Sequence, residues 1–220
     1  MHSLPYAAPP DLGLDLVFAD AALLVVNKPA GLLSVPGRGP DKDDCLARRV
    51  QARYPDALIV HRLDMETSGL VLLARGGEMQ RRLSRLFQQR QVVKGYVAVV
   101  DGTPAASAGV IDLPLLADWP NRPRQKVDRE TGKPSLTRWR RLADDPARAA
   151  TRLALEPETG RTHQLRVHLQ ALGHPILGDA LYASPAVRAK ADRLLLHADF
   201  LAFAHPLGGE QLSFSSPPPF

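Results

Sequence analysis

The stretch HRLDMETSGL, residues 61–70, lies between two apolar runs, LIV at 58–60 and LVLLA at 70–74. This pattern predicts an irregular segment between two buried strands, the kind of place from which functional groups are often presented. The segment brings Arg62 and Asp64 close to the core, and two charges are costly to bury there unless they are paired. Local chemistry alone leaves two interpretations open: a functional site, or a solvated ion pair at a strand end.

Composition bounds the class of protein. The chain has 220 residues, a formal net charge of +5 and a pI near 9.7, which favours a polyanionic partner without requiring one. The single cysteine, Cys45, excludes an internal disulfide framework. We find no signal peptide and no apolar run near the ~18 residues that span a bilayer. We therefore expect a cytoplasmic protein without a membrane partner, built as one domain over residues 1–220 with an N-terminal lead at 1–20.

Hydrophobic periodicity predicts both helices and strands. A helix capped by Asp43 or Asp44 runs through residues 46–54, and a second one covers 78–91 with an arginine-rich outer face that we interpret as solvated. Period-two or continuous apolar patterns predict strands at 23–26, 92–100, 136–142, 151–155 and 194–204. In the strand at 92–100, Tyr96 lies on the face opposite Val93, Val97 and Val99, as expected for a half-buried strand tyrosine.

Residues 112–134 show no sustained period and contain four prolines. Irregular segments of this length in compact domains are commonly functional or disordered. Because basic residues outnumber acidic ones over 118–134, we expect an RNA-facing loop, and we take Arg122, Arg124 and Lys126 as candidate RNA-binding residues. Trp119 could stack on a base, but the pattern favours a tryptophan that anchors the loop to the core.

The stretch ETGRTHQLRVHLQALGHPILGD, residues 158–179, predicts a helix capped by Thr162 and ended by Gly173. His163 and His168 are five residues apart, which places them about 140° apart on a helix, so one helix cannot aim both at one ion. We expect no metal site. A further helix should start at Ser184 and run through Arg193. The chain also lacks a P-loop or dinucleotide fingerprint, so we expect no cofactor.

Three phrases occur in a set order: HRLDMETSGL, KGY at 94–96 and GRTHQLRVH at 160–168. Together they resemble the motifs of the RluA-type pseudouridine synthases, and RLLLHA at 193–198 also resembles the family pattern. The resemblance implies an α+β fold with a bent, mixed and mostly antiparallel sheet, flanking helices and a central catalytic cleft. The chain leaves no room for the S4 RNA-binding domain that many relatives carry, which resembles the dual-specificity branch of the family.

The resemblance also implies roles for individual residues. Asp64 would be the essential catalytic residue, and Tyr96 would stack on the target base and help to move a proton. Arg166 would form a salt bridge with Asp64, although it could also be a plain helix-surface arginine. Leu196 would pack around the bound uracil, or be a simple core leucine. Arg62 is our candidate for the side chain that fills the space of a flipped base.

The implied activity is the isomerisation of uridine to pseudouridine in RNA loops, at uridine 32 of tRNA and uridine 746 of 23S rRNA, by a monomer. Two alternatives remain open at this point. The chain could be a catalytically inactive protein that binds RNA stem-loops through its basic loops and Tyr96. It could also be a hydrolase that uses Asp64 as nucleophile, which would release free uracil.

Overall fold

The computed structural model describes residues 6–220, which form two compact units. Of these residues, unit 1 comprises 6–92 and 198–217, and unit 2 comprises 93–197 and 218–220. The first five residues of the expected N-terminal lead lie outside the described part of the chain. Residues 16–19 of that lead form a strand, which the proline-rich composition did not indicate.

Unit 1 contains strands and helices with the bounds β1 (Leu16–Ala19), β2 (Leu23–Lys28), α1 (Leu46–Arg53), β3 (Ala57–Ile59), β4 (Ser68–Arg75), α2 (Gly76–Gln88) and β12 (Gln211–Ser215). Strand β11 (Leu196–Ala204) begins in unit 2 and continues in unit 1. The strands of unit 1 follow the order β1-β2-β4-β11, with β3 beside β4 and β12 beside β11. The pairs β1–β2, β2–β4, β3–β4 and β11–β12 are antiparallel.

The core of unit 1 forms because residues 70–74 of β4 are all apolar. Leu70, Leu72 and Ala74 face the stripe of α2 that carries Met79 and Leu83, and all five side chains belong to one buried cluster. The helix has period 3.6 and the strand period 2, so the two apolar faces meet in the way that the sequence pattern predicts. The predicted strand at 70–74 and the predicted helix at 78–91 are therefore confirmed.

Unit 2 contains β5 (Val93–Asp101), β6 (Ala108–Asp112), β7 (Leu115–Ala117), β8 (Gln125–Val127), β9 (Leu136–Asp145), β10 (Ala150–Pro157), α3 (Gln164–Ala171) and α4 (Pro185–Arg188). Strands β5, β10, β9 and β6 lie side by side in that order, and the pairs β5–β10, β10–β9 and β9–β6 are antiparallel. Strands β7 and β8 form a separate antiparallel pair. The predicted mixed α+β class with a mostly antiparallel sheet is confirmed.

Several local predictions were wrong. Residues 112–134 are not wholly irregular, since they contain the β7–β8 pair, whose three-residue strands are too short to show a period. Helix α1 is preceded by Cys45, not capped by Asp43 or Asp44. Helix α3 is preceded by His163 in a left-handed conformation, φ 54°, and not by Thr162.

The prediction for the helix after Ser184 was half right. The Ser184 hydroxyl accepts the Val187 N–H at 3.3 Å, which confirms the cap, but the helix ends at Arg188 and not at Arg193. In β5 the expected separation of faces also fails, because residues 97–100 are all buried while Val93 is exposed. Within residues 6–220, we find no helix with both the length and the apolar character that crossing a bilayer requires.

Candidate active site

The irregular segment at 61–67 follows β3 and precedes β4, as the sequence predicts. Arg62 is exposed, whereas Asp64 is partly buried. The backbone turns tightly after the carboxylate, since the Thr67 N–H donates to the Asp64 carbonyl at 3.1 Å. Asp64 therefore lies on a short turn between two strands of unit 1.

A buried lysine stabilises this turn by hydrogen bonds to backbone carbonyls. Lys28, at the end of β2, is 1% exposed. Its Nζ donates to the carbonyl oxygens of Pro29, Leu32 and Met65 at 2.8, 2.7 and 2.9 Å. An ammonium has three donors, and these three carbonyls match that number, which is how a buried cation avoids an uncompensated desolvation cost. Since Met65 directly follows Asp64, Lys28 fixes the backbone next to the carboxylate.

Ser34 holds the other side of the same turn. Its hydroxyl donates to the Leu63 carbonyl at 2.7 Å and accepts the Leu63 N–H at 3.1 Å. Ser34 is 4% exposed, so water does not compete strongly for these bonds. The sequence analysis singled out neither Lys28 nor Ser34. A lysine at the end of an apolar strand was the available signal.

His61 and Gly69 close the ends of the segment. The Leu72 N–H donates to His61 Nε2 at 2.9 Å, and the imidazole stacks on Phe87 with 4.6 Å between ring centroids. Gly69 has φ +115°, and a Cβ there would lie 2.2 Å from the Ala198 carbonyl oxygen. Only glycine allows this backbone to approach β11 so closely.

In unit 2, Tyr96 and Leu196 belong to one hydrophobic cluster. Leu196, at the start of β11, is 3% exposed and forms part of the cluster, and the partly buried Tyr96 packs against it. Tyr96 lies on β5 opposite Leu155 of β10. Two of the residues that the motifs single out therefore belong to or border the same hydrophobic cluster.

Arg166 is buried on α3. It is 4% exposed, so the alternative of a plain helix-surface arginine is wrong. Its Nε and one Nη donate to the two carboxylate oxygens of Asp179 at 2.8 and 2.6 Å, and Asp179 is itself 1% exposed. A two-pronged pair of this kind fixes the plane of the guanidinium. Sequence reasoning quoted Asp179 as the end of a motif and missed this role.

The cationic residues at 122–126 lie on and beside the β7–β8 pair. Arg122 is exposed and its guanidinium carbon lies 3.0 Å from the centroid of the Trp119 ring. Trp119 is 66% exposed, so the prediction that it anchors the loop to the core was wrong. Arg124 lies 5.4 Å from the Tyr182 ring centroid, and Lys126 Nζ lies 3.5 Å from Asp128.

His163 and His168 are used in separate bonds. His168 is fully buried, with Nδ1 2.9 Å from the Thr137 hydroxyl and Nε2 3.0 Å from the Leu113 carbonyl. Burial lowers the pKa of His168 below 6.5, which favours the neutral ring. His163 Nδ1 lies 2.7 Å from the Tyr182 hydroxyl. Among residues 6–220, no three His, Cys, Asp or Glu side chains form a group that could hold a metal ion.

Asp64 and Arg62 thus belong to unit 1, and the other candidate residues belong to unit 2. The ion pair between Asp64 and Arg166 joins residues of different units and stays a prediction. Unit 1 contains a partly buried carboxylate, Asp64, on a turn that Lys28 and Ser34 stabilise by hydrogen bonds. Unit 2 contains a buried arginine, Arg166, that is paired with the carboxylate of Asp179. Both arrangements hold charged groups in fixed positions, as catalytic groups require.

The family model for RNA pseudouridylate synthases matches residues 22–171, which include Asp64, Tyr96 and Arg166. The chain belongs to this family, and it is an RNA pseudouridine synthase, an isomerase that acts on RNA. It is 50% identical to the dual-specificity RNA pseudouridine synthase RluA of Escherichia coli K12 over 215 residues, 98% of each chain. The protein of that name from Pasteurella multocida is 50% identical over 220 residues, the whole of both chains.

Solved structures agree with this assignment. Human RNA pseudouridylate synthase domain containing 1 is 31% identical, with a TM-score of 0.78 over 97% of this chain and 87% of that one. Human RNA pseudouridylate synthase domain containing 4 is 27% identical, with a TM-score of 0.71 over 93% and 88%. The family resemblance of the sequence motifs is therefore confirmed.

Proposed function

We propose that this enzyme has dual specificity and isomerises uridine 32 in the anticodon stem-loop of tRNA and uridine 746 in a hairpin of 23S rRNA. The observation that carries the proposal is 50% identity over 98% of both chains to a synthase named for dual specificity. The short, basic chain fits such substrates, because a compact loop with splayed bases can be read by shape and stacking.

The reaction breaks the C1′–N1 glycosidic bond of uridine, turns the uracil, and joins C1′ to C5. C5 loses its hydrogen as a proton and N1 gains a proton, so no atom is gained or lost overall and no redox partner is needed. In this proposal Asp64 acts either as the nucleophile or as the base that removes the ribose C2′ proton. Both roles use the ionised carboxylate, and the braced turn supports either one by fixing its position.

Arg166 serves in this proposal as the salt-bridge partner of Asp64. Asp179 takes two of the five N–H groups of the guanidinium and sets its orientation. A lysine could not reproduce this contact, because its ammonium group lacks the planar pair of N–H donors that a guanidinium presents to a carboxylate. The support is the burial and geometry of the Arg166–Asp179 pair.

Substrate binding requires a flipped base, since a uracil stacked in a loop cannot be reached, and flipping costs about a few kcal/mol. We propose that the exposed Arg62 fills the space left by the base, while Tyr96 stacks on the uracil and Leu196 packs around it. Arg122, Arg124 and Lys126 contact phosphates, which supplies much of the affinity. In this proposal the enzyme acts in the cytoplasm and as a monomer. Sedimentation of the purified protein with and without RNA would test the oligomeric state.

Incubation with two RNA hairpins, one of each class, tests the proposal directly. Each RNA carries tritium at uracil C5, and release of tritium together with pseudouridine at the named uridine is the expected result. Release from only one hairpin would contradict dual specificity. Free uracil would indicate the hydrolase, and binding without release would indicate the inactive RNA-binding protein.

A further inference from the structure

Tyr182 lies in unit 2, three residues after Asp179, and is 4% exposed. We propose that Tyr182 is a positioning residue with two separable roles: its ring holds Arg166, and its hydroxyl holds the β7–β8 pair that carries the RNA-binding cations. The inference rests on the proposed function, because it concerns how Arg166 and Arg124 are kept in place.

The ring of Tyr182 lies against two arginines. The guanidinium carbon of Arg166 is 5.2 Å from the ring centroid, and that of Arg124 is 5.4 Å from it. A guanidinium at this distance from an aromatic face is attracted by the ring quadrupole, and more strongly when it is desolvated, as Arg166 is. Tyr182 therefore restricts the arginine proposed to face Asp64 and contacts an arginine proposed to face phosphate.

Asp179 provides a second link between Tyr182 and Arg166. Its Oδ1, which accepts from Arg166, also accepts the backbone N–H groups of Leu181 and Tyr182 at 2.8 and 3.1 Å. The carboxylate that orients the guanidinium thus also fixes the backbone that presents the ring. Arg166, Asp179 and Tyr182 are linked by hydrogen bonds and a cation–π contact. Displacing one of them should therefore weaken the contacts of the other two.

The hydroxyl of Tyr182 makes a different connection. It accepts the backbone N–H of Gln125, the first residue of β8, at 2.8 Å, and it lies 2.7 Å from Nδ1 of His163, which directly precedes α3. Leu115 of β7 and Val167 of α3 belong to the same small buried cluster as Tyr182. One side chain therefore joins the β7–β8 pair to the start of the helix that carries Arg166.

Because the ring and the hydroxyl of Tyr182 have separate roles, two substitutions of this residue should have different kinetic effects. Tyr182→Phe keeps the ring beside Arg166 but removes the hydroxyl, which accepts the Gln125 N–H and bonds to His163 Nδ1, so the β7–β8 pair is held less firmly. We expect KM to rise on the order of tenfold, with kcat within about twofold of the parent value. Tyr182→Leu also removes the ring, and we expect kcat to fall on the order of tenfold or more in addition.

Tritium release from a stem-loop RNA gives kcat and KM. Hydrogen exchange of the folded proteins measures how well the backbone amides of the β7–β8 pair are protected. In Tyr182→Phe the amide protection of Gln125 should fall, while that of α3 beyond its first turn is kept. Unchanged KM and unchanged protection would overturn the role of the hydroxyl. A loss of kcat in both variants that merely follows the folded fraction in a thermal melt would overturn the role of the ring. If Tyr182→Leu does not fold, Tyr182→Met, which fills more of the space of the ring, replaces it as the test of the ring. The KM and hydrogen exchange of Tyr182→Phe decide the role of the hydroxyl.

Arg166→Lys separates this inference from the proposed function. If Arg166→Lys loses turnover while both Tyr182 variants keep the parent kcat and KM, the inference is wrong and the proposed function stands. If Arg166→Lys turns over at the parent rate, the proposed function of Arg166 fails first, and the assignment of the Tyr182 ring fails with it.

Discussion

Asp64 carries the chemistry in the proposed function, and its removal should separate turnover from binding. We expect Asp64→Asn to abolish isomerisation, because an amide can be neither nucleophile nor base. RNA affinity should stay within about tenfold, or about 1.4 kcal/mol, since phosphate contacts and stacking elsewhere supply most of it. Tritium release from C5-labelled RNA, filter binding and a thermal melt measure the three properties.

Asp192→Asn is the matched control, because Asp192 is an exposed carboxylate in unit 2. It should keep the parent turnover, affinity and melting temperature. A folded Asp64→Asn protein that releases tritium near the parent rate would remove Asp64 from the mechanism. A destabilised variant whose activity follows its folded fraction would support the solvated ion pair at a strand end.

His168 makes the stability of the protein depend on pH. Its pKa in the folded state is lowered by burial below 6.5, so the unfolded chain binds a proton first as the pH falls. This contribution to stability is complete above about pH 6.5 and is lost as the pH falls below that value, with a slope of at most about 1.4 kcal/mol per pH unit. Denaturant unfolding of the parent and of His168→Gln between pH 7.5 and 5.5 tests it, and parallel curves would contradict the prediction.

At the scale of elements, β4 and β11 approach closely at Gly69. Alanine there would combine a positive φ with a Cβ 2.2 Å from the Ala198 carbonyl oxygen. We expect Gly69→Ala to lower the free energy of unfolding by about 2–5 kcal/mol. Gly77→Ala in α2 is the control, because a Cβ there meets nothing within 4 Å. It should change stability by zero to about +1 kcal/mol. Equal effects of both substitutions in urea unfolding would refute the steric argument.

The β7–β8 pair and its flanking turn should contribute to the salt dependence of binding. Removing Arg122 and Arg124 together should weaken RNA binding and lower the slope of log K against log salt, by about 0.9 or less for each lost phosphate contact. The control replaces Arg81 and Arg85, which are exposed on α2 and which we interpret as a solvated face. Equal slopes for the parent and the Arg122/Arg124 variant would place this element away from RNA.

The predictability of an element followed its length. Strand β4 and helix α2 have eight and thirteen residues, enough for a period to be seen. Strands β7 and β8 have three residues each, and their stability comes from Leu115 packing on Val167 and Tyr182, partners that are far away in sequence. The Arg166–Asp179 pair was missed for the same reason, since charge patterns in sequence do not tell which carboxylate a buried arginine meets.

At the scale of the whole molecule, the size of the RNA that the enzyme needs for recognition can be predicted. A chain of 220 residues should recognise a compact loop by shape and splayed bases, without needing a large ribonucleoprotein. We therefore expect isolated anticodon stem-loops to be modified. Mass spectrometry of nucleosides after incubation measures this. Modification of intact ribosomal particles alone would show that recognition needs a larger surface.

Motif order in the sequence identified the family correctly, and the composition did not. A charge of +5 suits many proteins, whereas three phrases in one order have few explanations. The sequence did not reveal that residues 198–217 return to the unit formed by residues 6–92. Such a return depends on the pairing of β11 with β12 and on Leu201 and Phe203 joining the core of unit 1, contacts that local pattern cannot specify.

That return has a consequence for biosynthesis. The ribosome completes β4 long before it makes β11, and at ~5–20 residues per second the interval is on the order of ten seconds. During this time the nascent chain holds the HRLD segment on an unfinished core, with the apolar residues of β4 still lacking Leu201 and Phe203. Most of unit 2, residues 93–197, is synthesised within the same interval. The first part of the chain to be translated is therefore among the last to become resistant to proteases.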